Sequence, residues 1–375
     1  LFSGPTPDAP PLTEAETLDR LRLARSRRVG ATTFHRLLAE HGSAEAALAA
    51  LPDIARIAGA EGYAPCPEGV ARAELAAGRR AGARLLAFGA PGYPAALADL
   101  DDAPPLLWAL GDPALAARPM IALVGARNAS SLGLRMAQRL ARELGAAGFT
   151  VVSGLARGID AAAHEAALAT GTIGVQAGGI DVIYPTENTE LSARMAREGL
   201  RLAELPPGTQ LQARHFPQRN RIIAGLARAT VVIEAAARSG SLLTARNALD
   251  YGREVMAVPG HPMDARAAGC NLLLRDGAVL VRNAEDVIEA LGGPAPVASG
   301  PAPPPVAAPV QPPLPGPETG AAEARILAAL GPSPTPEDLL LRSLGIAPAV
   351  LARTLVLLEI EGRVIRHPGG LLSLG

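Results

Sequence analysis

Five short turns rich in glycine, serine and arginine run through the middle of this chain, and their residue types suit anion binding. They are Val124-Gly-Ala-Arg-Asn-Ala-Ser130, Val152-Ser-Gly-Leu-Ala-Arg-Gly-Ile-Asp160, Gly178-Gly-Ile-Asp-Val-Ile-Tyr-Pro185, Phe216-Pro-Gln-Arg-Asn-Arg221 and Ser239-Gly-Ser-Leu-Leu-Thr244. The first three follow apolar, strand-like segments. A parallel α/β sheet gathers such turns along one edge beside helix N-termini, where backbone N–H groups point outward and attract anions. Guanidinium adds a planar fork that grips a phosphate oxygen pair. The spacing therefore predicts a phosphate-holding edge.

Each turn carries its own alternatives. Gly125-Ala126-Arg127 is not the Gly-x-Gly-x-x-Gly fingerprint of dinucleotide sites. Arg127 would meet a phosphate there, or be tied to a carboxylate. Gly154 and Gly158 suit a tight strand-to-helix crossing, and a helix starting near Gly158 would offer free N–H groups. Asp160 and His164, one helical turn apart, could work as an acid–base pair. No Ser or Cys nucleophile is placed with them, so a structural hydrogen bond is the expectation. Asp181 and Tyr184 read as a turn followed by a packed segment.

Arg201 to Arg228 holds five arginines (201, 214, 219, 221 and 228) against Glu204 alone, a net charge of +4. Phe216 lies inside that cluster in a chain with only five phenylalanines. A ring among arginines is how single strands are held, one base stacked while cations follow the backbone. Phe216 as core, with Arg219 and Arg221 capping helices, is the competing reading. Ser239, Gly240, Ser241 and Thr244 open a helix as caps or as an anion site.

Composition narrows the classes. All 35 basic residues are arginine. A P-loop lysine, a Schiff-base lysine and a lysine general base are therefore excluded, and an ATPase is disfavoured. Net charge is -1, so a nucleic-acid site must be a local patch. Cys66 and Cys270 match no metal spacing and suit a reduced compartment. No apolar run is long enough for a bilayer, and no signal-peptide pattern opens the chain. The expectation is a cytoplasmic protein without membrane contact or cofactor.

The elements that must position these turns fall into four stretches. Residues 1–80 read as short helices, with Arg28–Leu38 resembling a helix-hairpin-helix turn or a plain bundle. Residues 81–291 form the core. After a transition over 82–118, where Arg84–Phe88 is strand-like before Gly89 and prolines break the chain and Trp108 reads as core, strands are expected at Met120–Val124, Thr150–Ser153, Thr172–Gln176, Ala229–Glu234, Glu254–Val258 and Ala278–Arg282. The clearest helix follows Ser131, where Ala137, Leu140, Ala141 and Leu144 form an apolar stripe. Such alternation implies a parallel sheet with helices on both faces. Residues 292–317 carry eleven prolines and no charge, a linker. Residues 318–375 read as three helices and a hairpin turning at Pro368-Gly369-Gly370, a winged-helix pattern. From Glu323 on, five arginines face five acids, which favours protein contact over a duplex grip.

In this order the motifs resemble the DNA-processing protein A (DprA) family. The matching stretches are Gly125–Arg127, Ser153–Asp160, Gly178–Pro185, Phe216–Gly225, Glu234–Thr244, Val258–Gly260 and Gly269–Ala278. The resemblance implies an α/β, extended Rossmann-like core with an N-terminal helical (SAM- or HhH-like) domain and a C-terminal winged helix. It implies a dimer, not an enzyme, that binds single-stranded DNA in natural transformation and helps load the RecA recombinase past single-strand-binding protein. The residues it would place on DNA are Arg127, Asn128, Ser153, Gly154, Arg157, Gly158, Arg214, Phe216, Arg219, Asn220, Arg221, Ser239, Gly240, Thr244 and Arg253. Lysines are usual in that pocket; here Arg214, Arg253 and Arg157 are the candidates to replace them. Two other readings are a nucleotide phosphoribohydrolase with Glu234 as acid–base group and a duplex-DNA regulator acting through the C-terminal unit.

Overall fold

A computed structural model describes residues 11–293, 319–331, 334–367 and 370–374. The linker prolines from Pro294 on, and Pro368 and Gly369 of the expected hairpin, lie outside them. The chain divides into two compact units. One takes the described residues up to Leu51 and from Ala64 to Gly293; the other takes Pro52–Tyr63 and the described residues from Thr319 on.

Four helices open the chain: α1 (Glu14–Arg25), α2 (Ala31–His41), α3 (Ala44–Ile57) and α4 (Glu68–Arg80). Thr13 and Glu16 form a reciprocal capping box at the start of α1. Next come β1 (Arg84–Ala87), the short α5 (Ala95–Ala98) and β2 (Leu106–Gly111). The alternating region then supplies β3 (Met120–Val124), α6 (Ser131–Ala146), β4 (Thr150–Ser153), α7 (Ile159–Ala167), β5 (Thr172–Gln176), α8 (Thr189–Glu198) and β6 (Leu200–Ala203). It continues with α9 (His215–Leu226), β7 (Ala229–Val232), α10 (Ser241–Asp250), β8 (Glu254–Ala257), α11 (Ala268–Arg275), β9 (Val279–Leu280) and α12 (Ala284–Ala290).

The nine strands form one sheet in the order β1-β2-β6-β5-β4-β3-β7-β8-β9. From β6 to β9 all pairings are parallel. Side chains of β3 alternate between two cores, as the pleat requires. Met120, Ala122 and Val124 face α9 and α10, while Ile121 and Leu123 face α6 and α7. All four stripe residues of α6 are fully buried in the second core.

The sheet is wider than the sequence pattern implied, and it is not wholly parallel. β2 runs antiparallel to β6, and β1 antiparallel to β2. Flanking Pro104, Pro105 and Pro113 obscured β2, and a polar Arg201 interrupts the apolar run of β6. Three expected strands are also shorter: β7 stops at Val232, β8 at Ala257, and β9 is Val279–Leu280. The added strands give α1 and α4 something to pack on, a core of Leu18, Leu21, Leu75, Leu106 and Trp108.

Trp108 fastens that layer. Its indole N–H donates to Glu74 Oε1 at 3.0 Å. Glu74 also pairs with Arg25 at 2.9 Å, and Arg25 donates to the Glu204 carbonyl at 3.1 Å. Gly78 of α4 lies flat on the indole, where an added Cβ would sit 1.9 Å from Cζ3.

In the other unit, α13 (Thr319–Ala329), β10 (Thr335–Pro336), α14 (Glu337–Leu344), α15 (Pro348–Glu361), β11 (Val364–His367) and β12 (Leu371–Leu374) follow the winged-helix order. The small sheet runs β10-β12-β11, antiparallel throughout. Ile326, Leu340, Leu355, Leu358 and Leu372 fill its core. Arg366 is paired with Glu337 and Glu359, and Arg363 with Glu323 and Glu361.

Gly78→Ala forces either Trp108 or α4 to move. It should lower stability by about 1–3 kcal/mol, read as a lower urea midpoint by fluorescence of Trp108, the only tryptophan.

Candidate nucleic-acid interface

In an open α/β sheet the expected ligand crevice lies where strand order reverses, here beyond the ends of β3 and β7. That crevice is closed. Ala126 N–H donates to the Glu234 carbonyl at 2.7 Å. The Glu234 carboxylate accepts from the Ser130 N–H at 2.9 Å and from the Ser130 hydroxyl. Gly125 and Gly133 leave room for this seam, since a Cβ on either would come within 3.0 Å of Glu234 or Ile159 atoms.

The open cleft sits beside it, over the C-terminal ends of β4 and β5, and has a volume of about 270 Å³. Its walls are the 154–157 turn, the 176–187 loop and the first turn of α9. Arg127 reaches in from the neighbouring turn and lays its guanidinium over the Phe216 ring, 4.8 Å from the centroid. Tyr184, 51% exposed, stands 6.1 Å from Phe216 with the rings inclined by 57°. Arg219 forms part of the floor and is only 6% exposed.

Local chemistry explains the floor. Arg219 Nη1 donates to the Val175 carbonyl at 2.9 Å. It crosses Gly154 so closely that a Cβ there would lie 1.7 Å from Nη1. Burial lowers the Arg219 pKa to about 10; Asp160 opposes the shift and Arg127 adds to it, so the group stays charged at neutral pH. Asp160 Oδ2 accepts from the N–H groups of Gly154 and Ala156 at 3.1 and 3.3 Å. Burial pushes the Asp160 carboxyl up, with Arg219 the largest opposing influence.

His164 completes the turn. Its Nδ1–H donates to Thr172 Oγ1 at 2.7 Å, because that hydroxyl itself donates to the Val151 carbonyl. Nε2 is then the acceptor for the Leu155 N–H at 3.4 Å, and Leu155 adopts a left-handed φ of 58°. Burial holds the ring neutral, with a pKa of about 3. Asp160 and His164 thus serve backbone donors, as the structural reading expected.

The structure corrects several other expectations. Part of the backbone anticipated as free near the start of α7 is engaged: the N–H of Ile159 goes to the Ala126 carbonyl, and in the turn before the helix those of Gly154 and Ala156 go to Asp160. Gly158 instead supplies close approach, its Cβ position lying 2.3 Å from the Ala126 oxygen. The arginines of 201–228 do not form a patch. Arg201 is buried and donates to Gln176 and to the Ile180 carbonyl. Arg221 is tied to Glu204 and Asp102, and Arg228 to the carbonyls of Leu291 and Gly293. Arg253 donates to the Ala96 carbonyl at the start of β8, the opposite edge of the sheet. A helix turns about 100° per residue, so arginines close in sequence point to different faces.

The remaining positions divide in the same way. Arg127, Gly154, Arg157, Phe216 and Arg219 line the cleft. Arg157 pairs with Glu187 at 3.4 Å on its rim. Asn128 is exposed in the Arg127 turn, and Arg214 is exposed just before α9. Neither Arg127 nor Arg214 makes an ion pair among the described residues. Ser153 is buried, its hydroxyl donating to the Leu123 carbonyl at 2.6 Å, and Thr244 is buried within α10. Asn220 touches the Gly240 carbonyl, and the Ser239 and Ser241 hydroxyls bond each other.

Gln176, Tyr184 and Leu211 also line the cleft and were not assigned to it from sequence. Gln176 braces the 178–185 loop through a bond from Nε2 to the Val182 carbonyl at 2.9 Å. Its position, a polar residue ending an apolar strand before two glycines, was the available signal.

Comparison with known proteins gives a consistent relationship. Residues 84–292 match the family model described as DNA recombination-mediator protein A. Residues 14–77 match a DprA-like N-terminal HHH domain, and 310–370 a DprA winged helix domain. The chain is 43% identical over 220 residues to the DNA processing protein DprA of Bacillus subtilis, covering 58% of this chain and 74% of that one. It is 44% identical over 198 residues to DprA of Streptococcus pneumoniae, covering 52% and 70%. The X-ray structure of the Streptococcus pneumoniae protein superposes with a TM-score of 0.61 at 33% identity, over 75% of this chain and 98% of that one. A Helicobacter pylori DNA processing protein A, studied for its single-stranded DNA binding mode, gives 0.52 at 31%, over 56% and 95%.

The buried neutral His164 carries a pH signature. Its unfolded pKa is near 6.5 and its folded pKa about 3, so between them the unfolded chain holds the extra proton. Stability from this group is complete above 6.5 and falls as pH drops. From pH 7.5 to 5 the loss should be roughly 2 kcal/mol. A His164→Asn variant, though less stable, should lose less over the same interval in paired denaturant titrations.

Proposed function

This chain belongs to the DNA recombination-mediator protein A family, and from that premise we propose that its cleft holds single-stranded DNA and that the protein delivers the strand to a RecA-type recombinase. The observation that carries the reading is Arg127 laid over Phe216 above the buried Arg219. An aromatic face receives a base and the guanidiniums receive backbone phosphate, which holds a strand without reading its sequence. Arg214 and Asn128, both exposed on the same edge, extend the path for the backbone.

The partners follow the family resemblance: a RecA recombinase that takes the strand, single-strand-binding protein as the coat to be passed, and a second copy of this chain. No helix among the described residues is long and apolar enough to cross a membrane, and the site of action in this reading is the cytoplasm. The role is non-catalytic. Glu234, the acid–base group a phosphoribohydrolase would use, has both carboxylate oxygens engaged by Ser130. The winged-helix unit is assigned to protein contact. Its α15 carries Arg353 against Glu359 and Glu361, a poor match for duplex phosphates.

Salt-dependent binding tests the site. Arg127→Ala should weaken binding of an oligothymidine and lower the log–log salt slope by about 0.7, one phosphate on a single strand. Phe216→Ala should weaken it by about 1–3 kcal/mol with the slope unchanged. Unaltered affinity and slope in both variants, followed by fluorescence anisotropy, would remove the cleft from the pathway of the strand.

A further inference from the structure

Arg219 is short of partners. Its guanidinium has five N–H donors, yet it makes one hydrogen bond, to the Val175 carbonyl. Nε is buried with no partner among the described residues. Asp160 acts on it from beyond ion-pair distance and already accepts two backbone N–H groups. Burying a cation with donors unfilled is costly. Meanwhile the second cation at the cleft, Arg127, repels it. Glu187, the carboxylate on the rim, is taken by Arg157. Two guanidiniums with spare donors therefore line one recess, and the deeper of them, Arg219, occupies the space that Gly154 leaves beside it.

We propose that this recess is a subsite for a terminal phosphate monoester, presented by a strand end or by a free mononucleotide. The inference rests on the single-strand reading of the cleft and adds which part of the strand enters deepest. An internal phosphodiester has an ester chain on each side, and both must leave the recess. A monoester has one substituent, so it can approach a recessed guanidinium end-on. It also carries a charge of about -1.5 to -2 at neutral pH, which two guanidiniums match with charge-assisted bonds. The attached nucleoside then meets the Phe216 and Tyr184 rings at the mouth.

The test uses the full chain and one oligonucleotide sequence in four forms: 5′-phosphorylated, 3′-phosphorylated, hydroxyl at both ends, and circular. One phosphorylated linear form should bind at least about fivefold tighter than the hydroxyl-ended and circular forms. That advantage should grow from pH 5 to 7.5, as the monoester passes its second ionisation near 6. Deoxyadenosine monophosphate should compete and deoxyadenosine should not. Arg219→Gln and the surface change Arg127→Gln should each reduce the advantage, the second without touching the buried floor. The form that wins identifies the end; competition by the free nucleotide without a difference among strands assigns the recess to free mononucleotide. Equal affinity for all four forms with no competition overturns the subsite and leaves strand binding intact. Failure of every form to bind overturns both readings.

Discussion

A cation buried at the ends of two parallel strands has to be accommodated by everything around it, and the Arg219 guanidinium imposes that condition here. It lies where the side chain of residue 154 would be, so that residue is glycine. It needs a carbonyl at the end of β5, which Val175 provides, and a nearby negative charge, which Asp160 provides from the first turn of α7. Asp160 in turn gathers the amides of Gly154 and Ala156. Those amides of the turn before α7 are thereby used within the protein.

A second constraint fixes where the cleft can be. The strand order reverses at β3 and β7, yet Glu234 stitches the 126–130 turn across that point. The opening is displaced over β4 and β5. The same stitch fixes the turn that carries Arg127, and Gly158 packs against its backbone from the far side. Arg127 is thus an exposed side chain on a well-held backbone. That combination lets it lie on Phe216 with its guanidinium facing the cleft.

Much of this was legible in the chain. The apolar stripe of α6 repeats with helical period, and the glycine turns sit at strand ends, so the central alternation and the turns at its edge could be read directly. Phe216 among arginines was also a sound pointer to the cleft. Other features resisted reading for definite reasons. Local charge density suggested a patch at 201–228, but Arg201, Arg219 and Arg221 diverge because β6 and two faces of α9 send them inward. Arg84–Phe88 marks β1, but its antiparallel neighbour β2 hides among prolines, and β6 beyond it carries a buried arginine in place of an apolar residue. Glu234 showed only as a possible acid; its engagement by Ser130 is a long-range contact that no local pattern reveals.

The replacement of every ammonium by guanidinium has a consequence for control. Acyl transfer to side-chain amines is a common way to trim positive charge from a nucleic-acid-binding face. Along these 375 residues there is no ε-amine to accept an acyl group. The charge of the cleft is therefore constitutive, set by groups that keep their proton across the physiological range. Occupancy can be tuned by ionic strength or by competitors for the cleft, but not by acylating side-chain amines of this chain.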